Sequence, residues 1–224
     1  MTLYTDLPDH FNVETDRVFR DEILPFIEYE ILALESYERD RPADATYIFH
    51  EHIHRAAREM ELTAQHLGWS SVVCTNLYWA MLPHDIGKRK IDVTLWDMED
   101  KPSDDIKNLR RSHTDLGLEI VESALGHLTH PFIDLMVDVI ANHHEHMDGS
   151  GYRGLCADQL STPVRLASII ESFDGYQVWR PHFGDRDIST EGVLKRMREE
   201  KAALYDMTLF EKFAAMKRGE IECS

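Results

Sequence analysis

The sequence predicts an all-α fold: one helical bundle preceded by a helical extension. Three observations carry that expectation. Apolar residues recur at three- and four-residue steps almost throughout, and no alternating apolar–polar run is long enough for a strand. No Gly-, Pro- or Ser-rich tract separates two full domains. In chain order, Val18, Ile23, Phe26, Ile27, Ile31 and Leu34 trace a helical stripe between Val13 and about Tyr37, which Pro25 is expected to kink or divide. The charged connector ERDRPAD closes this extension at residue 44, and the bundle is expected over 45–224. A second helix spans about Thr46–Leu67 and stops at Gly68, and a third spans Ser71–Met81 behind a serine cap. The third is apolar on most sides, which predicts burial. The stretch from Pro83 to Asp105 holds too many Gly, Pro and Asp for one long helix and reads as a loop with short turns. Helices are then expected over about Asp104–Ala124 and Pro131–His144, the latter with proline in its first turn. DGSGYRG, with three glycines in seven residues, predicts irregular backbone. A helix from Pro163 to about Trp179 and two amphipathic helices over roughly 189–203 and 206–218 complete the chain.

Composition narrows the function. The 224 residues suffice for one domain with a sizeable core. Lys plus Arg number 24 against 41 for Asp plus Glu, a net charge of −17. So acidic a surface repels phosphate backbones and anionic lipid, which argues against a nucleic-acid or membrane-surface binder. No apolar run reaches the roughly 18–20 residues of a membrane helix, and no signal peptide is visible at the acidic N-terminus. Cys74, Cys156 and Cys223 form no CxxC, so neither a disulfide framework nor a zinc ribbon is expected, and a reducing cytoplasm is.

Histidine is the informative residue, with 13 copies. His84-Asp85 stands where an apolar helix runs out into a Gly-containing loop. Neighbouring helical residues diverge by about 100°, so the pair does not chelate one ion as an i,i+4 pair would. It fits the floor of a cluster instead, with the imidazole on one ion and the carboxylate bridging two. His143-His144-Glu145 closes another helix, and two adjacent imidazoles buried without partners would be costly. His113 stands four residues before Gly117, and His52 lies within HEHIHRAAREME. Taken singly, each reads as a surface or satisfied core histidine; their clustering at helix ends and beside glycines is suggestive of a shared site and does not by itself decide between the two. Lys88, three residues after Asp85, is a mobile point charge suited to a phosphate oxygen.

In order, His52, His84-Asp85-Ile-Gly-Lys88, His113-x-x-x-Gly117, His143-His144-Glu145, Asp148-Gly-Ser-Gly-Tyr152 and Arg180-Pro181 resemble the HD-GYP branch of the HD-domain metal-dependent phosphohydrolases. The resemblance covers roughly residues 48–183. It implies two or three divalent ions, usually iron or manganese, in an all-helical core. Two are expected here, because the place where some relatives carry a third-metal glutamate, four residues before His52, is Ile48. It carries metal-ligand roles onto His52, His84, Asp85, His113, His143 and His144, with Asp85 bridging. Arg55, Ala56-Ala57 and Leu67-Gly68 match the family's frame and favour His52 over His54. The last carboxylate ligand falls on Glu171, where the family has aspartate, and Asp174 one turn on is its rival. Lys88 faces phosphate, Tyr152 lies in the loop beside the substrate, and Arg180 lies near the substrate.

Two departures weigh against cyclic di-GMP as the substrate: Arg153 stands where the family has the proline of GYP, and Phe183 replaces a basic residue of some relatives. The expected function is metal-dependent hydrolysis of a nucleotide or cyclic dinucleotide phosphodiester, with Asp85 and Lys88 at the chemistry. Lys88, Arg89, Lys90, Arg153 and Arg180 are expected to offset the negative surface near the site. Two alternatives stay open. One is a catalytically weak metal- or nucleotide-binding signalling module; the other is a di-iron oxygenase like the HD-domain proteins that resemble myo-inositol oxygenase. For the extension, a dimerising helix that would make a homodimer, a sensor remnant and a cover for the core are all open.

Overall fold

Helices carry the regular structure in the computed structural model, which describes residues 4–39, 41, 45, 47–98, 101–178 and 185–220. No strand occurs among them; one isolated bridge pairs Asp148 with Cys156. The chain enters through a loop held by buried Asn76, whose Oδ1 accepts from the Val13 N–H at 3.2 Å. The same side chain donates to the carbonyls of Pro8 and Phe11 at 2.7 and 2.8 Å. Regular helix starts later than the apolar stripe predicts, with a wide π-helical turn over Phe19–Ile23 and then α1, Leu24–Glu38. Pro25 divides the stretch as expected without ending it: helical backbone continues from the π turn into α1, and the wide turn directly ahead of Pro25 takes up its missing N–H and leaves room for its ring.

Helix α2, Phe49–His66, starts three residues later than expected because its cap comes from another helix. The buried Glu38 carboxylate accepts from the Phe49 and His50 N–H groups at 2.5 and 2.7 Å and pairs with Arg41 at 2.8 Å. Gly68, with φ +72°, follows α2 in the left-handed region that glycine adopts without strain. Helix α3, Ser71–Met81, is capped by Ser70 and packs closely on α2. Among its described residues the loop after α3 holds only short 3-10 turns, Ile86–Lys90 and Val93–Leu95.

The single helix expected over Asp104–Ala124 is two: α4, Asp104–Arg111, and α5, His113–Leu125. The break is at Ser112, whose ψ of −6° departs from helix and whose hydroxyl bonds the Leu109 carbonyl at 2.6 Å. That turn swings His113 inward as the first residue of α5. Helix α6, Pro131–Asn142, is capped by His130, whose Nδ1 accepts from the Phe132 N–H at 3.2 Å. Helices α7, Thr162–Gln177, α8, Thr190–Glu200, and α9, Met207–Arg218, follow, each behind a Ser or Asp cap.

Phe19, Ile23 and Ile27 of the extension lie in the same apolar core as the bundle, with Phe19 edge-on to Trp79 and Phe132. Ile23 and Ile27 are fully buried, about 1.5–3 kcal/mol each in transfer free energy. The boundary expected at residue 44 falls on 42–44, outside the described residues. Among the described residues, no helix is long and apolar enough to cross a membrane.

Candidate metal centre

The donors meet where the ends of α3, α5 and α6 face the middle of α7 and the first turns of α2. Close backbone approach makes this possible. A Cβ on Gly87 would lie 1.9 Å from the His113 carbonyl oxygen and 2.5 Å from the Gly117 nitrogen, so only glycine lets the turn after Asp85 seat against α5. Gly117 in turn leaves space that the Ile140 side chain fills.

Four imidazoles are aimed the same way. The Nδ1–H of His84 donates to the Met81 carbonyl at 2.8 Å, and that of His113 to the Arg110 carbonyl at 2.7 Å. His143 shares its Nδ1–H between the carbonyls of Val139 and Ile140, both at 3.1 Å. His52 donates to Asp174 Oδ2 at 2.7 Å. Carbonyls and carboxylates only accept, so each Nδ1 carries a proton, and each Nε2 is the nitrogen turned to the interior that can give a lone pair to a cation. Those nitrogens converge: His52 and His84 Nε2 lie 3.1 Å apart, and His113 and His143 Nε2 3.2 Å apart. Two lone pairs at that distance repel unless a cation or proton lies between them.

The carboxylates complete two adjoining groups. Asp85 is fully buried between them, with Oδ1 at 3.2 and 3.7 Å from His113 and His143 Nε2. Its Oδ2 stands 3.5 Å from both His52 and His84 Nε2. Glu171 Oε2 lies 2.9 Å from His52 and 3.4 Å from His84, while Oε1 lies 4.0 Å from His144. Both oxygens of Asp85 and Oε2 of Glu171 are buried without a well-directed hydrogen bond. Donor atoms of His52, His84 and Asp85 form one compact group, and those of His113, His143 and His144 another. Asp174, the rival of Glu171, is instead turned to the back of His52 and is held by Arg55 at 3.0 Å.

The electrostatics suit cations. Burial opposes charge on Asp85, yet Lys88, His84 and His113 hold its carboxyl well below the usual range. Burial likewise opposes charge on Glu171, which His52 and His84 outweigh. Burial pushes the His144 imidazole down to about 3, and His143 well below its ordinary value. For His52, burial is overcome by Glu171 and Asp174, which push it up to about 9. Ionised carboxylates beside neutral imidazoles are the protonation states that divalent ions require, and a proton on His52 is one that a cation displaces. Buried carboxylate oxygens with few hydrogen-bond donors, inward Nε2 atoms and this charge balance together fit a pair of divalent ions.

Lys88 differs from the mobile charge its position predicts. It is buried, its ammonium paired with Asp85 and facing the rings of Tyr47, Phe49 and Trp96 at 5.2, 4.9 and 5.6 Å. Trp96 also stands edge-on to His113 at 6.3 Å and donates its Nε1–H to Tyr37 Oη at 3.0 Å. Tyr152 lies at the mouth, 37% exposed, its ring stacked on His144 at 4.4 Å. Glu145 ligates nothing here. Its carboxylate accepts from the Arg153 and Leu155 N–H groups at 2.6 and 2.8 Å and so shapes the loop that carries Tyr152.

The expected offsetting patch of basic residues is largely neutralised. Arg89 forms a two-pronged pair with Glu30 at 2.7 and 2.9 Å, and Arg153 is paired with Asp115 and donates to the Ala141 carbonyl at 3.1 Å. Arg180 and Phe183 lie outside the described residues. Sequence reasoning missed the aromatic box around Lys88, the bond from His52 to Asp174 and the position of Arg111, whose guanidinium lies over Tyr152. The only signal for the last was a basic pair just before His113.

A family model described as HD domain matches residues 35–209. A cyclic di-GMP phosphodiesterase of Thermotoga maritima is 26% identical over 190 residues, 84% of this chain and 48% of that relative. A 3'3'-cGAMP-specific phosphodiesterase of Vibrio cholerae is 30% identical over 169 residues, 75% of this chain and 34% of the relative. The chain thus spans about half, or less, of the length of these curated relatives. Among solved structures, an HDG"Y"P protein of Bdellovibrio bacteriovorus superposes with a TM-score of 0.64 at 17% identity, covering 93% of this chain and 65% of that one. The L. monocytogenes phosphodiesterase PgpH HD domain in complex with cyclic-di-AMP gives 0.54 at 16%, covering 87% and 96%. At these identities the likeness is one of fold.

Proposed function

The chain belongs to the HD domain family, and from that premise we propose that it is a metal-dependent phosphodiesterase acting on a nucleotide or cyclic dinucleotide. The observation that carries the reading is the convergence of inward Nε2 atoms on the buried carboxylates of Asp85 and Glu171. His52, His84 and Glu171 would hold one divalent ion, iron or manganese, and His113, His143 and His144 the other, with Asp85 shared. Such ions, when bound, supply Lewis acidity toward a phosphoryl oxygen and toward water.

The chain's own residues supply the rest. Asp174 fixes the His52 ring and its tautomer, as the Met81, Arg110, Val139 and Ile140 carbonyls fix the other rings. Lys88 keeps Asp85 ionised and places an ammonium beside the shared carboxylate, where a phosphoryl oxygen gains a charged donor. Tyr47, Phe49 and Trp96 exclude water from that ammonium and limit its swing. Tyr152 closes one wall and offers a ring face to a base or sugar. The relatives named for cyclic dinucleotide substrates support that substrate class.

The test is metal content and hydrolysis of bis(p-nitrophenyl) phosphate, wild type beside Asp85→Ala. About two ions per chain with turnover, both lost in the variant, is the expected result. Bound ions without turnover of this ester or of any cyclic dinucleotide would refute the hydrolase reading, and oxygen consumption by the iron-loaded chain would replace it with an oxygenase.

A further inference from the structure

Arg111 stands apart from the other cations around the metal centre. Lys88 is paired with Asp85, Arg55 with Asp174, Arg89 with Glu30 and Arg153 with Asp115, while Arg110 donates to the Leu95 carbonyl. Among the described residues no carboxylate lies within ion-pair distance of Arg111, which is exposed. Asp115, four positions on and beyond the turn at Ser112, is held by Arg153. The Arg111 guanidinium lies 5.1 Å above the centroid of the Tyr152 ring, which is also stacked on His144 at 4.4 Å and 27° and edge-on to His113 at 6.3 Å. Tyr152 thus touches both the guanidinium and two of the candidate donor rings.

We propose that Arg111 binds a second phosphate of the substrate, not the one cut, so that the site selects compounds with two phosphodiester groups over compounds with one. The inference rests on the phosphodiesterase reading above. A planar guanidinium offers paired N–H donors that match two phosphate oxygens, and an aromatic face beneath it holds that plane in advance. In a chain of net charge −17, an unpaired cation at the mouth is also the local attraction that a dianion needs. Arg153, which stands where the resembled family has proline, acts as a positioning residue: by occupying Asp115 it leaves Arg111 to the ligand.

Equilibrium binding of cyclic di-GMP, and KM and kcat for cyclic di-GMP and for bis(p-nitrophenyl) phosphate, test this on wild type, Arg111→Ala and Arg111→Lys. The alanine variant is expected to lose about ten- to hundredfold in cyclic di-GMP binding and KM, the range for a charge-assisted hydrogen-bond pair. Its kcat should change little, and its KM for the single-phosphate ester should not change. Lysine should restore only part of the loss. Equal losses on both esters, or none on either, would overturn the proposal. A wild type that cleaves the simple ester but does not bind cyclic di-GMP overturns it and leaves the hydrolase reading standing. One that binds cyclic di-GMP but cleaves neither ester sinks the hydrolase reading alone, and the binding ratio of the variants still decides Arg111. Absence of both binding and cleavage overturns both.

Discussion

Gly87→Ala puts the construction of the metal centre to its most direct trial. The new methyl would lie 1.9 Å from the His113 carbonyl oxygen, 2.5 Å from the Gly117 nitrogen and 2.9 Å from the His113 carbonyl carbon, where ordinary contact begins at 3.4 Å. All three atoms are backbone, so no rotamer change relieves the clash. The 3-10 turn and α5 must part by roughly 1 Å or more, and overpacking on this scale costs about 3 kcal/mol. With a urea slope of about 2–3 kcal/mol/M, the midpoint falls by about 1–1.5 M. The same displacement separates Asp85 Oδ1 from His113 Nε2, now 3.2 Å apart, so metal content should fall as well. Gly175→Ala is the matched control. That glycine lies within α7 with nothing inside 4 Å of its added methyl, and the substitution should stabilise by about 0.5–1 kcal/mol. Urea titration with metal analysis of both variants checks the pair. An unchanged midpoint and full metal in Gly87→Ala would refute the close-approach argument.

The remaining predictions address separate links. Glu171→Ala should abolish binding at one ion position, whereas Asp174→Asn should weaken it by about 10- to 100-fold without abolishing it; calorimetric titration with manganese reads the order, and the reverse order would assign the ligand to Asp174. Asn76→Ala leaves the Val13 N–H and the Pro8 and Phe11 carbonyls without their buried partner and should cost about 1–3 kcal/mol, read by urea unfolding, with faster proteolysis before residue 19. Burial holds the Tyr37 phenol up at about 12, against 10.0 when unfolded. The folded state therefore keeps a proton that the unfolded state loses, and stability falls as pH rises from 10 toward 12. Tyr37→Phe lacks that slope, and a Tyr37→Phe profile as steep as wild type would count against it.

What the sequence made legible was local. Gly68 and the cap at Ser70 are features of neighbours in the chain, and they lie where expected. His84 and His143-His144 were visible at helix ends because glycine and proline beside them mark those ends. The interruption at Ser112 was not, since serine, unlike glycine or proline, carries no strong signal against helix. The start of α2 was misplaced because its cap, Glu38, comes from the preceding helix, 11 residues before Phe49. Asp174 and Glu171 share one helix, so spacing left both as candidate ligands; only the fold, which brings His52 from 122 residues away, sets Asp174 against its Nδ1 and Glu171 against its Nε2. The fate of Arg153 was equally hidden, because its partner Asp115 is 38 residues away.

Trp96 turns the aromatic box into an optical instrument. An indole within 6.3 Å of the His113 ring and 5.6 Å of the Lys88 ammonium emits into a field that changes when the donors take up a cation. Its N–H is anchored to Tyr37, so the ring keeps one orientation while its surroundings change. Intrinsic fluorescence excited at the indole band can thus follow loading and release of the centre in real time, with no label attached and no substrate required.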